Sequence, residues 1–135
     1  MKISVIIPVY NEVESINELY NQLTKALEDY IPYEIIFIDD GSSDDSAEII
    51  KKICELNNST NLIQFQRNYG KSAALAEGFK YANGNYIVTM DADLQDDPSE
   101  IKNLVNKLEE GFDLVSGWKK DRKDPLSKRL PSKLF

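Results

Sequence analysis

The chain has 135 residues, 41% hydrophobic and 29% charged, with a formal net charge of −7, a profile that fits one ordinary globular domain with a real core. It excludes a disordered, collagen-like or disulfide-scaffold chain, and the lack of any histidine excludes His-based triads and His-rich metal sites. The longest apolar run, Val5 to Val9, is too short to cross a bilayer, no charged-then-apolar leader opens the chain, and the single Cys54 has no internal partner, so a cytoplasmic, reducing setting is expected.

In chain order, Lys2 to Val9 is β-branched and apolar and predicts a buried strand. Val13, Ile16, Leu19, Tyr20, Leu23, Leu27 and Tyr30 then recur on one helical face until Pro32 breaks the pattern. Tyr33 to Ile38 predicts a second buried strand, followed by the turn Asp39-Asp40-Gly41-Ser42-Ser43, with Ser43 or Asp44 as cap of a helix striped by Ala47, Ile50, Ile53 and Cys54. After an Asn-rich loop, Leu62, Ile63 and Phe65 suggest a short third strand. Ser72 to Ala82 reads as a small-residue helix ended by Asn83-Gly84, and Tyr86 to Met90 as a fourth strand. Pro98 opens a helix carrying Ile101, Leu104, Val105 and Leu108, and Phe112 to Val115 reads as a fifth strand. Alternation fades from Trp118 onward.

Strands of continuous apolar residues alternating with helices imply an α/β fold, a mostly parallel sheet covered on both faces. Ligands in such sheets bind outside the carboxyl ends of the strands, and that is where the unusual residues lie. Strand one is followed by Pro8-Val9-Tyr10-Asn11-Glu12, strand two by Asp39-Asp40-Gly41-Ser42, strand three by Arg67-Asn68-Tyr69-Gly70-Lys71, and strand four by Asp91-Ala92-Asp93-Leu94-Gln95-Asp96-Asp97.

Asp91-Ala92-Asp93 is the sharpest feature. Two close carboxylates repel unless a cation lies between them, and oxygen ligands without His or Cys suit Mg²⁺ or Mn²⁺. Gln95 adds a neutral oxygen at the next alternate position. The motif alone is weak, since paired aspartates at turns are mostly caps or solvated groups; its place at a strand end favours the metal reading. For Asp39 and Asp40 an Asx-turn and contact with a base or ribose weigh about evenly. Glu12 either suits the first turn of its helix or faces the same ligand. Arg67 and Lys71 are surface charges if alone and counter-charges if opposite a diphosphate. Neither a P-loop nor a G-x-G-x-x-G dinucleotide fingerprint occurs.

Residues 118–135 hold seven Lys or Arg against two Asp, so a basic end follows a mostly acidic body. That balance does not suit nucleic acid. The segment is a solvated tail on composition alone, with a phosphate or an anionic membrane surface as the functional alternative.

The segments "VIIPVYNE", "IIFIDDGSSDDS", "QRNYGKSAAL" and "YIVTMDADLQDDP", in that order over residues 5 to 98, resemble the amino-terminal part of a family 2 glycosyltransferase with the GT-A fold. "DADLQDDP" followed by "GWKKDRKD" and "SKRLPSKLF" is similar to the branch that makes polyprenyl-phosphate sugars, which includes dolichol-phosphate mannose synthase and undecaprenyl-phosphate glycosyltransferases. The resemblance implies that residues 1–117 form the nucleotide-sugar-binding half of a GT-A domain and that residues 118–135 begin its acceptor side. It implies Pro8, Tyr10, Glu12, Asp39, Asp40, Arg67, Lys71 and Asp91 at the nucleotide, a UDP- or GDP-sugar. It implies Asp91, Asp93 and Gln95 at the metal, and Arg122 and Arg129 at acceptor or donor phosphate, with Asp91 and Asp93 shared between catalysis and metal binding.

The activity so implied is metal-dependent, inverting transfer of a sugar to a lipid phosphate. It would occur at the cytoplasmic face of a membrane, with homo-oligomers in prospect. Because family members continue well beyond this length, transfer by the 135 residues alone is expected to be weak or absent. Two other classes compete: an aspartate-based phosphotransfer protein, whose acidic motif usually follows the first strand, and a non-catalytic nucleotide-binding module.

Overall fold

The computed structural model describes residues 2–30 and 32–110. The predicted fifth strand, the 1–117/118–135 boundary and the basic segment with Arg122 and Arg129 lie outside the described residues. Four strands, β1 (Ile3–Val9), β2 (Tyr33–Asp39), β3 (Thr60–Gln64) and β4 (Tyr86–Thr89), form one sheet in the order β3-β2-β1-β4. All pairings are parallel, with Ile3 opposite both Tyr33 and Tyr86, and Asp39 opposite Val9 and Gln64. Parallel neighbours need crossover helices, and α1 (Ile16–Leu27), α2 (Ser46–Leu56), α3 (Lys71–Tyr81) and α4 (Ile101–Glu109) alternate with or follow the strands.

The pleat sorts the core. Ile3, Val5, Ile7, Val9, Ile35 and Phe37 point to one face and pack with Leu19, Leu23 and Leu27 of α1, Ile50 of α2 and Ile101 and Val105 of α4. Ile6, Ile36 and Ile38 point to the other face and meet Ala74 and Leu75 of α3. Residues of β1 and β2 are therefore buried on both sides, which explains their unbroken apolar runs. The small residues of α3 let it lie close: a Cβ on Gly78 would stand 2.4 Å from Ile6 Cγ2.

Several element ends differ from the predicted ones. Val13 precedes α1 rather than opening it, because its amide is taken by Asp44 Oδ2 at 3.3 Å. Tyr30 sits in a 3-10 turn, Glu28–Tyr30, that continues α1. The formal cap of α2 is Asp45, which makes no side-chain cap bond; Asp44, one residue ahead of that cap, instead accepts the Ser46 amide at 2.9 Å. β3 starts at Thr60 inside the predicted Asn-rich loop, since the Ile35 amide donates to Ser59 O and pairing starts there. Gly70, at φ 102°, turns the chain so that α3 begins at Lys71. Pro98 opens a 3-10 turn, Pro98–Glu100, capped by Asp97 Oδ1 on the Ser99 amide, before α4 proper.

Candidate nucleotide and metal site

The carboxyl ends of β1, β2 and β4 open onto one rim. The loop after β1 is held by the loop after β2. Asn11 adopts a left-handed φ of 53°, which aims its Oδ1 at the amides of Ser43 (2.8 Å) and Asp44 (3.3 Å). In return the Asn11 amide donates to Ser42 Oγ and the Glu12 amide to Ser46 Oγ, at 2.8 and 3.0 Å. Burial pushes the Asp44 carboxyl up, but hydrogen bonds from the Ser46 side chain and the amides of Ser46 and Val13 outweigh it and hold the pKa below the usual value.

The loop after β3 is fastened just as firmly. Gly41, at φ 75°, passes so close that a Cβ would lie 2.3 Å from the Arg67 carbonyl carbon. Asp40, 4% exposed, accepts the amides of Tyr69 at 2.7 Å and Gly70 at 3.0 Å, one per carboxylate oxygen. Asp39 is buried, with Oδ1 on the Ser42 amide at 3.2 Å. Asp39 thus serves the local turn that the Asx-turn reading expects, whereas both oxygens of Asp40 hold the distant loop after β3. Asp40 nonetheless lines the cleft and Asp39 does not.

The Asp91–Asp96 loop is clamped from two sides. The Asp91 amide donates to Asp96 Oδ2 at 2.9 Å. Ser15 Oγ, at the start of α1, donates to the Ala92 carbonyl at 2.6 Å in a buried contact. Asp93 Oδ1 accepts the Gln95 amide at 3.1 Å around Leu94, whose φ is 66°. These bonds place Asp91, Ala92 and Asp93 along a cleft of about 260 Å³, opposite Pro8, Val9, Tyr10 and Glu12 from the end of β1, with Asp40 and Lys71 completing the wall.

Of the predicted residues, Pro8, Tyr10, Glu12, Asp40, Lys71, Asp91 and Asp93 therefore converge on one cleft. Gln95 is exposed and off its lining. Arg67 also stands off it, its guanidinium 5.0 Å from the Tyr69 ring centroid, with Tyr69 edge-on to Phe65. Sequence reasoning missed Ser15 and Asp96. Ser15 carried the N-cap signal of a serine just before the first buried helical residue; Asp96 lay in the polar run after strand four, where nothing set it apart from its neighbours.

The donor set suits a hard divalent cation. Every candidate ligand is an oxygen. Among the described residues no group of three or more His, Cys, Asp or Glu converges on one point, so the protein offers one or two carboxylates and the remaining ligands would be water and phosphate, the usual arrangement for Mg²⁺ with nucleotides. Among the described residues, the cleft wall has four carboxylates, Glu12, Asp40, Asp91 and Asp93, and one cation, Lys71. Lys71 Nζ lies 2.6 Å from Asp91 Oδ1.

The comparisons with known proteins agree with this geometry. The chain is 47% identical to the undecaprenyl-phosphate 4-deoxy-4-formamido-L-arabinose transferase of Salmonella choleraesuis (strain SC-B67) over 136 residues, covering 99% of this chain and 42% of that protein. It thus spans about two fifths of the curated relatives it matches. Among solved structures, the mannosyltransferase PcManGT from Pyrobaculum calidifontis, in complex with GDP-Man and Mn²⁺, superposes with a TM-score of 0.74 at 26% identity, over 90% of this chain and 36% of that one. S. aureus TarS in complex with UDP gives 0.73 at 27% identity, over 94% and 39%. The four-stranded parallel sheet is accordingly an α/β fold of the GT-A kind. With the model for glycosyl transferase family 2 matching residues 4–134, nearly the whole chain, this protein belongs to glycosyl transferase family 2.

Proposed function

We propose that the cleft binds the nucleotide diphosphate of a sugar donor through a divalent cation on Asp91 and Asp93. In the whole protein the sugar would pass to a polyprenyl phosphate with inversion. The observation that carries this is the pair Asp91 and Asp93 sharing one acidic cleft with Pro8, Tyr10 and Glu12 at the strand ends. The relatives named for undecaprenyl phosphate and the neighbours bound to GDP-Man with Mn²⁺ or to UDP support the acceptor and donor classes. The family also sets aside the aspartate phosphotransfer alternative, as does the order of motifs, which follow β2 and β4 rather than β1.

The cation would supply electrostatic stabilisation of the charge that develops on the departing diphosphate. Asp91 and Asp93 hold their place through the Ser15, Asp96 and Gln95 contacts, so no reorganisation is required when charge appears. Tyr10, about half exposed at the cleft mouth, offers a ring for a base to stack against. A lipid phosphate is already an anionic nucleophile, so no side chain need act as general base, unlike the case of a hydroxyl acceptor. We assign Arg122 and Arg129 of the basic segment to acceptor or donor phosphate, and we propose the cytoplasmic face of a membrane as the setting of the whole protein. No helix among the described residues is long and apolar enough to cross one.

Calorimetry with UDP and GDP, with and without Mn²⁺, tests the reading. Metal-dependent binding is expected, weakened about tenfold or more by Asp93→Ala. Binding that ignores both metal and the substitution would favour a non-catalytic pocket and overturn the assignment.

A further inference from the structure

Lys71 and Asp91, both in the cleft wall, form an ion pair. The lysine ammonium lies 2.6 Å from Asp91 Oδ1, where a divalent cation held by that oxygen would have to sit. The lysine side chain is 57% exposed and the aspartate 19%. A pair with so exposed a member contributes little, and a flexible four-carbon stem allows the ammonium to move. The surrounding charge favours a cation at this place at all times, since Glu12, Asp40 and Asp93 line the same wall and, among the described residues, Lys71 is the only basic residue of the lining.

Resting on the metal reading above, we infer that Lys71 is an exchangeable place-holder. It neutralises Asp91 while no donor is bound, yields that oxygen to the incoming cation, and is then released to pair with the diphosphate that arrives with it. Lys71 begins α3, so its backbone is anchored by the helix while its side chain is free to swing. Gly70 and Tyr69 fix the start of that helix through Asp40, so the exchange needs only side-chain rotation. The consequence is an ordered site: bare cation is held weakly, and cation with diphosphate is held well.

The inference makes opposite demands on one substitution. Mn²⁺ affinity of the 135-residue chain is read without nucleotide from loss of the free-ion paramagnetic resonance signal. Lys71→Met is expected to tighten it about tenfold, because the competing charge is gone, while Lys71→Arg stays near wild type. With Mn²⁺ saturating, Lys71→Met is expected to weaken UDP or GDP binding by a similar factor. Lys71→Gln, which also lacks the charge, runs alongside in case the methionine variant folds poorly. Unchanged or weaker Mn²⁺ binding in both neutral variants overturns the place-holder role while leaving the metal site standing, provided Asp91→Asn abolishes wild-type Mn²⁺ binding. If Asp91→Asn has no effect, or wild type takes up no Mn²⁺ even with UDP or GDP present, the metal reading itself fails and takes this inference with it.

Discussion

Asp40 uses both carboxylate oxygens on backbone amides, and that geometry sets its cost of removal. Asp40→Ala would leave the part-buried Tyr69 and Gly70 amides without their carboxylate acceptors. An unsatisfied buried donor costs about 1–3 kcal/mol and water can reach part-buried ones, so a loss of about 1–3 kcal/mol in all is expected from urea denaturation. Asp44 acts the same way across the β1 and β2 loops but with a pH signature. Its pKa is lowered in the fold, so its stabilising contribution is present above the ordinary carboxylate value, about 4, and is lost as pH falls through the lowered folded value. The gap in urea midpoint between wild type and Asp44→Asn should therefore be constant near neutrality and shrink only below about pH 4. The chemistry of these residues was visible in sequence, but not the division of labour. Nothing local distinguishes Asp39 from Asp40, because the difference lies in which one the loop after β3 reaches. Ser15 was hidden for the same reason: its partner, the Ala92 carbonyl, lies 77 positions away in the chain.

At the scale of elements, apolar periodicity was enough to recover all four described strands and helices. Long runs such as Ile35 to Ile38 have one physical reading once both sheet faces must be covered. The ends were less legible, since they depend on long-range bonds such as Val13 to Asp44 and Ile35 to Ser59. The clearest element-level consequence concerns α3. Gly78→Ala would raise helix propensity by about 1 kcal/mol but would drive a Cβ to 2.4 Å from Ile6 Cγ2 and 3.1 Å from Ile38 Cδ1. Ile6 is fully buried and its γ-methyl is branched close to the backbone, so it cannot rotate away. Overpacking of this kind costs about 1–3 kcal/mol. The clash wins: a net loss of about 1–2 kcal/mol is expected in thermal or urea unfolding, with α3 and its Lys71 end displaced from the cleft.

For the molecule as a whole, the strand ends of the described sheet form a rim that carries the acidic cleft. At about 260 Å³ that cleft falls just below the range of about 300–1,000 Å³ usual for small-molecule sites, enough for the phosphates and part of a nucleoside but not for a donor and a lipid phosphate together. Sugar transfer requires both substrates to be held with reacting atoms about 3–3.5 Å apart. The described cleft carries Lys71 as its one basic group, and an acceptor phosphate would meet four carboxylates there. Donor binding and acceptor binding should therefore separate. The 135 residues are expected to be stabilised by UDP or GDP with Mn²⁺, by RT ln(1 + [L]/Kd), about 2.7 kcal/mol at a hundredfold excess over Kd, which a thermal-shift screen reads as a rise in Tm. The same chain, incubated with nucleotide sugar and polyprenyl phosphate, is expected to give no turnover above background in a radiolabel transfer assay. Measurable transfer would mean that residues beyond 110 already complete an acceptor site within this length, and Arg122→Ala and Arg129→Ala would then be the substitutions to abolish it without weakening nucleotide binding.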